Sequence, residues 1–270
     1  MAREPKAGRA QSVTGDKMPT DLLRIVESST LDAETISSRT AQIHANVLSR
    51  SKYMHAPNFT KIHPEDLAIL FAEYDGQFFG GQVRASLGTT PLHFRLAKRM
   101  TSSGGKTARF ADRSTGRLWY EISVSTTMLF GCFTGEDHRP IVTSGITCRD
   151  RLDALQRVME HEIVHLIEML LWAKSSCSQP RFCSITRRFF GHTENKHSLI
   201  TPKEKAFVKF GIRPGVKVRF RFDGIEHTGI VNRVSKRATV LVEDSRGRRY
   251  SDGKHYAKFY VPVQMLEAVE

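Results

Sequence analysis

The stretch RVMEHEIVHLIEMLLW, residues 157–172, constrains this chain more than any other. It is an apolar, helix-forming run, and a helix apolar on nearly every side belongs inside a core. Yet it carries His161, Glu162 and His165. Residues four apart on a helix project from one face, so the two histidines can present their imidazoles to a single ion. Val158, Ile163, Val164, Ile167, Leu170 and Leu171 remain to supply the core face. Glu162 follows the first histidine, where its carboxylate can reach a water beside that ion and act as general base.

His-Glu-x-x-His in this setting points to zinc and to peptide hydrolysis. A catalytic zinc site takes three protein ligands and keeps one position open, so a third ligand must come from elsewhere. The run FFGHTENKH, residues 189–197, offers His192, Glu194 and His197. Glu168 is a weaker choice, since it sits three residues past His165 on the same rigid helix. His192 is favoured because Gly191 before it permits a tight turn back onto the helix.

The rest of the chain frames this helix. Residues 1–20 are polar and basic without apolar periodicity and read as a disordered tail. Residues 21–63 read as a helical segment of one or two short helices. HPEDLAILFAEYDGQFFGG predicts a helix opened by Pro64, buried through Leu67, Leu70, Phe71 and Tyr74, and stopped by Gly80 and Gly81. Short strands are predicted over residues 83–87, 92–96 and 118–125. Residues 174–188 read as a polar loop. TPKEKAFVKFG predicts a linker helix over residues 201–211, with Thr201 and Glu204 as a capping box.

Beyond it, residues 212–270 alternate as Val216, Val218, Phe220 and Phe222, turn at Asp223-Gly224 and resume with four more short strands. That pattern predicts a small all-β barrel closed by VPVQMLEAV. Four cysteines, Cys132, Cys148, Cys177 and Cys183, form no Cys-x-x-Cys pair and are predicted to be reduced packing residues of an intracellular protein. No apolar stretch has the length and flanks of a signal sequence or membrane span, so a cytoplasmic location, with nucleoid association as an option, is expected.

Five segments, FAEYDGQFFGGQV, LAKRMTSSGGKTAR, EISVSTTML, HEIVH and FFGHTE, occur in the order in which similar segments occur in the SprT-like (Spartan-related) zinc metallopeptidases. The chain resembles that family over roughly residues 64–197, within a predicted domain of residues 64–200. The resemblance implies an α+β, zincin-like domain holding Zn²⁺ through His161, His165 and His192, with Glu162 as the catalytic glutamate. Two features depart from the pattern. The segment before the third ligand is long and reads Gly-His-Thr, and a Cys-rich zinc ribbon is replaced by what resembles an SH3-like barrel of the KOW or Tudor kind.

Charge completes the reading. The formal net charge is +13, and from residue 203 onward 15 Lys and Arg stand against 8 Asp and Glu. Such a bias suits phosphate contact. Lys217, Arg219 and Arg221 alternate with apolar residues along one predicted strand, and Arg246, Arg248 and Arg249 form a predicted loop cluster. Lys98, Arg99 and Lys106 flank MTSSGG as candidates for the cleft rim. The expected activity is zinc-dependent endoproteolysis of DNA-associated or DNA-crosslinked protein. Two alternatives are a nucleic-acid-binding scaffold with a structural zinc, and a peptidase whose barrel binds a protein partner.

Overall fold

The computed structural model describes residues 20–269, so the basic segment read as a tail lies outside the described residues except for Thr20. The chain is α+β. Thr20–Ser28 (α1) and the 18-residue Ala33–Arg50 (α2) open it, the second capped by Asp32, whose carboxylate accepts from the Thr35 amide at 2.7 Å. Pro64–Phe79 (α3) begins and ends where the sequence predicts. Pro64 occupies the first turn, Gly80 caps the end with φ 60°, and Leu67, Leu70, Phe71 and Tyr74 are buried.

Residues 83–87 form no strand. Gln82–Leu87 (α4) is a helix, because the buried carboxylate of Asp75 accepts from the amides of Val83 and Arg84, both at 2.9 Å. Those are donors that a helix start leaves open.

Leu92–Leu96 (β1), Gly105–Ala111 (β2) and Leu118–Val124 (β3) make a sheet of order β1-β3-β2, with β1 parallel and β2 antiparallel to β3. Strand β2, which the sequence analysis did not identify, therefore lies at an edge. Thr126–Leu129 (α5), Val142–Thr143 (β4) and Ile146–Thr147 (β5) lead into Arg151–Trp172 (α6). Asp150 caps α6 by accepting from the Asp153 amide at 2.8 Å. From Arg151 to Glu168 every residue except His165 is buried, and α6 is the spine of a core that runs from Leu22 to Ile200.

The predicted polar loop after α6 holds a helix, Pro180–Phe190 (α7). Phe182, Ile185, Thr186, Phe189 and Phe190 bury one face while arginines and serines occupy the other, so the polar composition concealed an amphipathic pattern. His197–Ser198 (β6) then pairs with β4, Thr143 opposite His197, to give a small sheet of order β5-β4-β6.

Pro202–Phe210 (α8) has the predicted capping box. Glu204 N donates to Thr201 Oγ1 at 3.1 Å, and Gly211 ends the helix. Glu204 also accepts from Arg139 Nε at 2.6 Å and lies 2.9 Å from His138 Nε2. Ala206 and Ile212 belong to a second core with Val218, Phe220, Val231, Val240 and Leu266.

Around that core run Lys217–Phe222 (β7), Ile225–Val234 (β8), Ala238–Arg249 (β9), His255–Val261 (β10) and Glu267–Ala268 (β11), in the order β10-β9-β8-β7-β11 and antiparallel throughout. The predicted closed barrel is not formed. VPVQMLEAV contributes a 3₁₀ turn at Val263–Met265 and a two-residue strand paired only with β7. The sheet still curls, since the rings of Phe220 on β7 and Phe259 on β10 are 5.4 Å apart with two strands between them. Side chains, and not backbone hydrogen bonds, span that gap.

Candidate active site

His161 and His165 face the same cleft from α6, with Nε2 atoms 3.1 Å apart. Two nitrogens bound to one tetrahedral zinc at roughly 2.0–2.1 Å would stand about 3.3–3.4 Å apart, so the observed separation fits a shared cation. Phe182 of α7 packs on both rings, with centroids at 4.7 and 4.5 Å. Behind His165 runs a hydrogen-bonded chain. Nδ1 lies 2.6 Å from Ser175 Oγ, which donates to Glu168 Oε2 at 2.6 Å, and Glu168 also accepts from Arg181 Nε at 2.8 Å. Glu168 is thus no ligand. It fixes the His165 ring through Ser175 and directs Nε2 into the cleft, as outer carboxylates do for ligating histidines.

Glu162 sits at the cleft floor, 2 % exposed. Thr107 Oγ1 on β2 lies 2.7 Å from its Oε2 and 2.9 Å from its backbone carbonyl, so the single hydroxyl proton serves one or the other. Burial pushes the Glu162 carboxyl up to about 8, and the Thr107 hydrogen bonds only partly oppose this. The close approach of β2 needs glycine: a Cβ at Gly105 would lie 2.6 Å from Glu162 Oε1, and one at Gly104 would lie 2.7 Å from His197 Nδ1.

The third histidine at the cleft is His197, not the predicted His192. Its ring stands 4.3 Å from that of His161, and the ligand atoms of His161, Glu162 and His197 all fall within 4.8 Å of one another. Pairing of β6 with β4 carries it there. His197 Nε2 is buried and has no hydrogen-bond partner among the described residues, which leaves it open to a ligand. Burial, followed by the neighbouring histidines, lowers its ring to about 3; burial lowers His165 to about 4 and His161 further still. All three rings are therefore neutral near pH 7, the form that binds metal.

The structure does not bring His192 to this cleft. Gly191 caps α7 in the left-handed conformation and turns His192 into the interior, where Nε2 donates to Glu160 Oε2 at 2.7 Å. Glu160 also receives Tyr74 Oη at 2.7 Å and Arg157 Nη1 at 3.0 Å. Burial would raise that carboxyl, but Arg157, His192 and Tyr74 together hold it below its usual range. His192 completes a buried polar cluster on another side of α6. Glu194 is exposed.

The cleft, about 490 Å³, is also lined by Lys106, Ser175, Asn195 and Cys177. Of the rim candidates, Lys106 lines it, Lys98 lines a separate cavity with Lys61 and Lys236, and Arg99 lines neither. Cys177 packs against the first core as expected, and its thiol also lies within 4.8 Å of ligand atoms of both His161 and His165. The sequence signal for this was Cys177 itself, a thiol in a polar segment just beyond the metal-motif helix.

On the curled sheet, Lys217, Arg219 and Arg221 project from one face of β7 and are exposed. Arg219 is paired with Glu267 at 2.8 Å. Arg246, Arg248 and Arg249 are exposed too, but on strand β9 and not in a loop. There the register jumps from Tyr256↔Glu243 to His255↔Arg249, and Gly247 lets the intervening residues lie against the Tyr256 backbone. Arg246 lies 3.7 Å from Asp244. Among the described residues no helix is long and apolar enough to cross a membrane. No protein-family model, curated protein or solved structure matches this chain.

Proposed function

We propose that the chain is a zinc-dependent endopeptidase of a zincin-like fold, joined to an SH3-like curled sheet that brings it to DNA-associated or DNA-crosslinked protein. The observation that carries the reading is the buried His161–His165 pair, Nε2 to Nε2 at 3.1 Å, beside a buried carboxylate in an accessible cleft. His161, His165 and His197 would hold zinc, which supplies Lewis acidity at the scissile carbonyl.

Glu162 takes a proton from a water in the cleft and delivers it to the leaving amine. Burial raises this carboxyl to about 8 in the metal-free cleft, which makes its ionised form a stronger base than an ordinary carboxylate and its acid form a donor near neutral pH. Thr107 keeps the carboxylate turned toward β2. The free edge of β2 offers backbone groups on which an extended peptide can be laid as an added strand, with Lys106 beside it. On the sheet, Lys217, Arg221, Arg248 and Arg249 are exposed cations that make no ion pair among the described residues and suit phosphate contact.

The test is metal analysis and proteolysis of wild type and Glu162→Gln, with and without single-stranded DNA. About one zinc per chain is expected in both proteins, with cleavage at least about 10²-fold slower in the variant. Equal cleavage by the two would sink the mechanism. Zinc with no cleavage by either would favour a nucleic-acid-binding scaffold with a structural zinc. Cleavage without any salt-sensitive DNA binding would favour a sheet that binds a protein partner.

A further inference from the structure

His161 belongs to two groups of metal-competent side chains. One joins it to Glu162 and His197, and the other to His165 and Cys177. In the second group every ligand atom lies within 4.8 Å of the others, with Cys177 Sγ as the sulfur member. Cys177 lies between α6 and α7 and is held in place. Its carbonyl accepts from Asn195 Nδ2 at 2.7 Å, which ties it to the segment carrying His197, and Cys183 Sγ lies 3.5 Å from the same oxygen. Two residues earlier, Ser175 is bonded to His165. The segment that positions one ligand thus also delivers the thiol.

His161 is 95 % buried, being 5 % exposed, and turns Nε2 toward His165, while His197 Nε2 is buried with no partner among the described residues. Both rings line the cleft that Cys177 lines.

We propose that Cys177 is a protein ligand, so that a cation held by His161 and His165 in this cleft also takes the Cys177 thiolate. The inference rests on the reading of the cleft as a metal site. As the sulfur–cation bond forms, the S–H bond breaks and its proton passes to solvent.

The experiment uses the full chain loaded with cobalt(II), whose visible ligand-field bands report binding and whose near-ultraviolet thiolate charge-transfer band reports sulfur ligation. Wild type is expected to show both. Cys177→Ser is expected to keep the ligand-field bands and lose the charge-transfer band completely, while Cys183→Ser keeps both. Ligand-field bands without charge transfer in the wild type, or a charge-transfer band that survives Cys177→Ser, would overturn the proposal and leave the metal site standing. Absence of any cobalt spectrum would overturn both. As an independent measurement, zinc should slow alkylation of Cys177 by at least about tenfold, because metal and alkylating agent compete for one thiolate, and should leave Cys183 unaffected. Equal protection of the two cysteines, or of neither, would count against ligation.

Discussion

The cleft on α6 and the outer face of the curled sheet both concentrate polar side chains, but on opposite physical terms. In and around the cleft they are buried and interlocked: Thr107 on Glu162, Ser175 and Glu168 behind His165, and, on another side of α6, Glu160 shared by His192, Arg157 and Tyr74. On the sheet Lys217, Arg221, Arg248 and Arg249 stand in solvent. A buried polar group that loses its partner bears the full cost of desolvation, whereas an exposed charge is screened and nearly independent of its neighbours. Substitutions should therefore act abruptly and non-additively in the first region and gradually in the second.

The sharpest contrast is expected at Gly105→Ala. The new Cβ would lie 2.6 Å from Glu162 Oε1 and displace the carboxylate without touching a ligand. Peptidase rate should fall by about 10²-fold or more, the scale of a general-base contribution, with zinc content unchanged. Wild-type rates in this variant would show that Glu162 does not need its observed position.

Next in size is a pair of histidine variants. His192→Ala removes one of three partners of a carboxylate whose side chain is 0 % exposed and should cost about 3 kcal/mol in denaturant unfolding while sparing zinc affinity. His197→Ala should do the reverse, lowering zinc affinity at least about tenfold with a smaller change in stability. Exchange of those two phenotypes would restore His192 as the ligand.

A milder effect is expected from pH. In the metal-stripped protein His165 and His197 titrate near about 4 and about 3, below the ordinary 6.5, so the unfolded chain takes up protons first. Stability should then fall as pH drops below about 6.5, by at most about 1.4 kcal/mol per pH unit for each histidine, and level off below the folded values. These groups contribute no loss above pH 7. Thermal unfolding across pH 3–8, compared with that of His165→Asn, measures it.

The smallest effects belong to the sheet. Lys217→Ala or Arg221→Ala should change stability by no more than about 0.5 kcal/mol. Each should reduce the log–log salt dependence of single-strand binding by about 0.7. Arg219→Ala should do less, since that guanidinium is already engaged by Glu267. A steep stability loss at any of these positions would erase the contrast between the regions.

What the sequence revealed follows the same division. Local signals were legible: the cap and stop of α3, the capping box of α8, and the alternation of buried Val218 and Phe220 with exposed cations. So was the pair on α6, because a four-residue spacing on a helix leaves little freedom. The errors arose where distant residues decide. Asp75 made a helix of residues that read as a strand. His192 and His197 lie in one polar run, and what separates them is long-range: pairing of β6 with Thr143 against a buried Glu160 awaiting a partner. The amphipathic face of α7, by contrast, was present at residues 182, 185, 186, 189 and 190 and was obscured by the arginines and serines between them.

Glu204 deserves a last consequence. One carboxylate both starts α8, whose Ala206 belongs to the second core, and grips Arg139 and His138 on the chain of the first. In mechanical terms it is a pivot shared by a shaft and its bearing. Lys205 and Lys209 add longer struts to Asp137 and Glu136. All these links are ionic and partly open to solvent, so added salt should slacken the joint well before either core yields. The molecule would then gain reach by articulation, with each part keeping its internal shape.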